Sequence, residues 1–185
     1  QMVFEYILKK YGMNPDTELD IVTNIDFGMT AQAFAGGSGE YTVEFEPSAT
    51  ALEKEGSGYV VSSLGVESGY VPYTAFSAKK SYIEENPEII EGFVRALQKG
   101  MDYVNTHTPE EIAKVIQPQF AETDMDTLVT IVTRYYEQDS WKENLVFEEA
   151  SFTLLLDILE SAGELEKRPP YEDLVDNTYS EKAAK

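Results

Sequence analysis

The stretch from Thr23 to Pro47, TNIDFGMTAQAFAGGSGEYTVEFEP, sets the tightest limits on what this chain can fold into. It joins the end of a short apolar run to a helical segment, a Gly-rich turn and an alternating apolar–polar run, and Glu46-Pro47 closes it. A helical period beside a two-residue period predicts βα units. In an open α/β sheet, ligands gather beyond the carboxyl ends of the strands, where helix N-termini offer unpaired N–H groups. Two such ends are expected here, at Thr23-Asn24-Ile25-Asp26 and at Glu46-Pro47, and together they form the expected binding site.

The flanking sequence supports this reading. Val3, Phe4, Ile7, Leu8 and Tyr11 mark one face of a first helix, which stops at Gly12. A chain that opens directly on a helix face is expected to have lost an upstream piece. Leu19 to Thr23 is short and β-branched, so a strand is expected there; Glu40 to Glu46 and Tyr59 to Ser63 are expected as two more. A helix over Phe27 to Ala35 lies between the first two strands, and Pro47 suits the first position of the next helix. Gly36-Gly37-Ser38-Gly39 lacks the Lys-Ser/Thr of a phosphate loop and follows a helix, so it is a turn. Val71 to Ala78 is extended around Pro72, which places it at an edge or a crossing.

From Ser81 onward the pattern is helical. Ser81/Glu84 and Thr108/Glu111 have capping-box spacing, and Asn86-Pro87 is an N-cap followed by Pro. Ile90, Phe93, Val94, Leu97, Met101 and Val104 share one face of the long helix that follows. Helices are expected over Pro109 to Ile116, Asp124 to Tyr136 and Phe147 to Ser161. Beyond Arg168 a surface tail with one docking segment (Tyr171, Leu174, Val175) is expected. The fold class is therefore α/β, with βα units to about residue 65 and a mainly helical second half.

Composition removes several functions. With 14 basic and 34 acidic residues the formal charge is −20, which argues against nucleic acid and anionic membrane as partners, since both would repel it. Cysteine is absent, which excludes disulfides, thiolate metal sites and cysteine nucleophiles. No run reaches the roughly 18 apolar residues of a membrane helix. No metal or cofactor is implied.

Two stretches carry a resemblance. FAGGSGEYTVEFEP (34–47), followed by GYVPYTAFSAKKSYIEENPEIIEGFVRALQKGMDYVNTHTPEEIAK (69–114), resembles the solute-binding proteins of ABC importers. The branch resembled includes binders of aliphatic sulfonates, taurine, nitrate and thiamine-pyrimidine precursors, and the likeness covers residues 27 to 116. It implies a type II periplasmic-binding-protein architecture, with two α/β lobes and the ligand in the cleft between them. Residues 1–66 would be most of lobe 2, and 67–185 the returning part of an incomplete lobe 1, with a hinge near Ser63 to Pro72. A swapped or cleaved partner would complete lobe 1. The resemblance further implies an extracytoplasmic protein that hands a small molecule to a membrane permease.

Five residues are the ligand candidates. Glu46 ends a strand and faces the cleft, or else is a solvated carboxylate beside a helix start. In the site it would repel sulfonate or nitrate and welcome amine or aminopyrimidine N–H groups. Asn24 and Asp26 occupy the other strand end, where Asp26 is alternatively an N-cap. Tyr73 and Thr74, beside Tyr70, lie where the chain crosses between lobes and suit a planar ligand, or form ordinary hinge packing.

The remaining features read as structural. Tyr41 and Phe45 are read as core side chains, Trp141 as packing and His107 as a solvated turn residue. Glu44 and Glu46 share a strand face, yet a glycosidase pair is a poor reading in so acidic a chain. An enzyme of the same fold that makes the thiamine pyrimidine would need His and a Cys-rich stretch, whereas this chain has one His and no Cys. A helical interaction module is the third reading.

Overall fold

The computed structural model describes all 185 residues, and every element of regular structure in it is helical. In chain order the helices are α1 (Met2–Lys10), α2 (Pro15–Glu18), α3 (Thr30–Ala35), α4 (Ser48–Lys54), α5 (Leu64–Ser68) and α6 (Lys80–Glu85). They continue with α7 (Pro87–Thr106), α8 (Pro109–Ile116), α9 (Met125–Glu137), α10 (Glu149–Ser161), α11 (Tyr171–Leu174) and α12 (Thr178–Ala183). A 3-10 turn over Phe27–Met29 leads into α3, and another over Gln117–Gln119 follows α8.

The three expected strands are not formed. Residues 19–23, 40–45 and 59–63 run as open chain and exchange no backbone hydrogen bonds with one another. Periodicity encodes which side chains face together, but a strand also needs a neighbour to take up its N–H and C=O groups. Alternation does survive along 41–46, with an unexpected sense. Tyr41, Val43 and Phe45 are exposed at 80%, 47% and 43%, while Thr42, Glu44 and Glu46 are half-buried. The core reading of Tyr41 and Phe45 is therefore overturned: both side chains stay exposed, although the Phe27 ring meets Phe45 edge-on.

The chain divides into two compact units that are not consecutive: residues 3–64 with 108–138, and residues 65–107 with 139–185. In the first unit α8 and α9 pack on each other, and α9 also meets α4. Ile112 and Ala113 of α8, Leu128 and Val132 of α9 and Leu52 of α4 are buried, as are Ile7 and Leu8 on α1. Burying each large apolar side chain stabilises by roughly 1.5–3 kcal/mol.

The starts of α8 and α9 follow their sequence signals. Thr108 Oγ1 accepts from the Glu111 N–H at 3.3 Å, and Glu111 Oε2 accepts from the Thr108 N–H at 2.9 Å, a complete capping box. Asp124 accepts from the Thr127 N–H at 2.9 Å and so caps α9.

The second unit is built on α7, which packs against α6 and α12, and on α10, which buries Phe152, Leu156 and Ile158. Ser81 and Glu84 form no capping box: α6 starts at Lys80, so Ser81 falls inside its first turn. His107 is half-buried and stacks on Tyr103 with ring centroids 3.6 Å apart, so it is not the solvated turn residue expected.

The tail docks at Tyr171, as expected, and also at Asn177, which was not foreseen. Tyr171 packs edge-on against Phe152 at 5.5 Å and donates its hydroxyl to the Phe147 carbonyl. Asn177 locks the same corner, donating to Phe147 O at 3.0 Å while its Oδ1 accepts from the Phe147 N–H at 2.9 Å. Leu174 does not dock and is 66% exposed. No helix is long and apolar enough to cross a membrane.

Candidate functional site

The Gly-rich turn and the alternating run that follows it shape a pocket in the first unit. Gly37 and Gly39 take φ of +92° and +87°, a backbone region open to Gly at little cost, and this lets the chain reverse after α3. Residues 44–48 then come alongside the turn that opens α3. The resulting pocket has a volume of about 210 Å³ and is lined by Phe27, Gly28, Thr30 and Ala31 together with Glu44 to Ser48. Phe27 and Phe45 meet edge-to-face in its wall, with centroids 5.5 Å apart and planes at 70°. Both rings remain substantially exposed.

Glu46 lines this pocket, but its carboxylate is engaged elsewhere. Oε1 accepts from Arg134 Nη1 at 2.8 Å, and Oε2 accepts from the Thr50 N–H at 3.0 Å in the first turn of α4. Its side chain is only 7% exposed. Arg134 also donates to the Thr50 hydroxyl at 2.9 Å and, through Nη2, to Glu53. The hydrogen bond from the Val60 N–H, joined by that from Arg134, lowers the Glu53 pKa. Burial works against the Arg134 charge, but the hydrogen bonds to Glu46 and Glu53 outweigh it and raise its pKa. One cation thus serves two carboxylates, leaving a net charge of one minus two, or −1, on the cluster.

Glu44, two residues earlier on the same half-buried face, has no cationic partner. Its Oε1 accepts from the Thr42 hydroxyl at 2.7 Å. No cluster of His, Asp and Glu side chains is arranged to hold a metal ion.

The other expected residues lie outside the pocket lining. Asn24 is exposed. Asp26 stands at the N-cap position of the 3-10 turn, where its carbonyl accepts from the Met29 N–H at 2.8 Å and its side chain caps nothing. Tyr73 and Thr74 are exposed on the open segment 71–79 of the second unit. Trp141 is half-buried. Two residues that matter went unassigned by sequence reasoning. Glu44 shares a strand face with Glu46, which was the available signal. Arg134 gave none, since its partners lie more than 80 residues away.

Comparison with known proteins places this pocket in context. Residues 1–118, which contain its whole lining, match the NMT1-like family. The chain belongs to the NMT1-like family. It is also 41% identical over 182 residues to YtlA of Bacillus subtilis (strain 168), which bears the name of a candidate binding protein. That match takes in 98% of this chain and 54% of YtlA, so the chain spans about half the length of the curated relative it matches. No solved structure matches the chain. Membership of the NMT1-like family implies a periplasmic-binding-protein-like fold.

Proposed function

We propose that this NMT1-like protein is the extracytoplasmic solute-binding component of an ABC importer. It binds a small molecule without transforming it and presents it to a membrane permease. An amine-bearing planar heterocycle of the aminopyrimidine, thiamine-precursor type is favoured over sulfonate, taurine or nitrate.

One observation carries the ligand class: a pocket of about 210 Å³ joins an exposed aromatic pair, Phe27 and Phe45, to a carboxylate that no protein cation neutralises. Aromatic rings suit planar ligands, and a net-negative lining disfavours anions. Asn24, Asp26, Tyr73 and Thr74 are further contacts in this reading, made in the closed form of a complete receptor. The open run at 41–44 is where the rest of such a receptor would add a strand, from a swapped or cleaved partner.

A ligand panel tests the proposal. Hydroxymethyl- and formamido-aminopyrimidines, taurine, alkanesulfonates and nitrate are titrated against the protein by thermal shift and calorimetry. Saturable binding of an aminopyrimidine is the expected result, and retention of none of the panel refutes it.

A further inference from the structure

We infer that Glu44, rather than Glu46, is the residue that selects an N–H-bearing ligand in this pocket; the inference rests on the solute-receptor reading above. The reasoning begins with acceptor capacity. A carboxylate offers about four lone-pair sites and is a strong acceptor for a donor that reaches it. Both oxygens of Glu46 already accept charge-assisted or backbone N–H bonds, and the side chain is almost fully enclosed. A ligand amine could reach the remaining lone pairs of Glu46 only by opening that enclosure and disturbing the Arg134 and Thr50 contacts. Glu44 faces no such competition: a neutral hydroxyl occupies one oxygen, and Oε2 makes no protein hydrogen bond.

Position and size agree with this assignment. Glu44 lines the same pocket as Phe27 and Phe45, whose rings form the aromatic part of its wall. A planar group lying against these rings would direct its edge toward a neighbouring carboxylate, and a protonated one gains further from the ring faces. The volume of about 210 Å³ falls below the roughly 300 Å³ typical of sites for larger organic ligands, which favours a single-ring amine, amidine or aminopyrimidine. Arg134 is then a positioning residue. It holds Glu46, and through it the chain from Glu44 to Ser48, without touching the ligand.

The test uses calorimetric titration of the wild-type protein and of Glu44→Gln with three probes. These are 4-amino-5-hydroxymethyl-2-methylpyrimidine, its analogue with methyl in place of the amine, and methanesulfonate. Glu44→Gln is expected to weaken the aminopyrimidine about tenfold or more while leaving the methyl analogue within about twofold, as loss of a charge-assisted hydrogen bond predicts. An unchanged thermal melt confirms that the variant is folded. Should it unfold, Glu44→Asp, which retains the charge on a shorter arm, is titrated instead, and a reduced preference for the amine is expected. Aminopyrimidine binding with the same amine preference in wild type and variant overturns the assignment but leaves the receptor reading standing. Tighter binding of methanesulfonate than of the amine has the same consequence. Failure of all three probes to bind the wild-type protein overturns the assignment and the receptor reading together.

Discussion

Arg134 reaches back 88 residues to hold the Glu46 carboxylate at 2.8 Å, and this one contact ties the end of the alternating run to α9. The guanidinium is 21% exposed and the carboxylate 7%, so neither charge is well hydrated. Removing one member of a buried pair leaves the other uncompensated, which typically costs more than the pair itself contributes. Arg134→Met is therefore expected to destabilise the fold by about 2–4 kcal/mol, read from urea denaturation. Glu46→Gln should cost less, since the amide oxygen can still accept from the Thr50 N–H or from Arg134. A smaller loss in Arg134→Met than in Glu46→Gln would contradict this account.

Asp124 gives the fold a predictable acid response. The Thr127 hydroxyl, then the Thr127 N–H, then Lys54 favour its charged form and hold its pKa down at about 2. A carboxylate depressed in the folded state adds stability above its unfolded value, near 3.8, and loses that contribution as pH falls toward the folded value. Asp124→Asn should thus melt at a lower temperature than wild type at pH 7. The gap should be constant down to about pH 4 and close between about pH 4 and 2. Melting curves at half-unit steps of pH test this. A gap that stays constant down to pH 2 would show that the cap acts by geometry alone.

What the sequence made legible divides along physical lines. Local signals were legible but not uniformly decisive: Pro109 to Ile116 begins and ends as its capping box and period require, whereas the same spacing at Ser81 and Glu84 makes no box. Gly37 and Gly39 turn the chain as expected. Such features depend on residues three or four apart, so the relevant interactions are written in adjacent letters. Pairing was not legible. The run at 40–46 has a strand's alternation, but whether it finds a ladder depends on other polypeptide, and here it finds none. The site shows the same division. Periodicity identified the Glu44–Glu46 face, whereas the neutralising cation on α9 was beyond any local pattern. In the tail, docking was legible at Tyr171, whereas Asn177 was not foreseen, because its side chain bonds the Phe147 backbone, which hydropathy does not register.

The open segments should behave as unpaired backbone in solution. Amides at 41–44 and 61–62 lack ladder partners, so their hydrogen exchange should approach the rate of free peptide, whereas core amides of α9 exchange far more slowly. Tyr41→Ser and Val61→Thr, at side chains 80% and 78% exposed, should each change stability by no more than about 0.5 kcal/mol. Strong protection of 41–44 would reveal pairing with a second copy of the chain.

Gly58 offers a prediction whose sign reverses with its background. A Cβ added there would sit 2.8 Å from Phe34 Cε1, closer than carbon atoms tolerate, so the half-buried ring would have to move. Gly→Ala at a compatible backbone stabilises by about 0.4–1 kcal/mol by restricting the unfolded chain. Overpacking costs about 1–3 kcal/mol. The clash wins, and Gly58→Ala should lose about 1 kcal/mol net. In a Phe34→Ala background the ring is gone and only the unfolded-state term remains. Gly58→Ala should then be neutral or mildly stabilising, and a double-mutant cycle in urea measures the reversal. Equal losses in both backgrounds would place the strain in the backbone at Gly58 and not in its contact with Phe34.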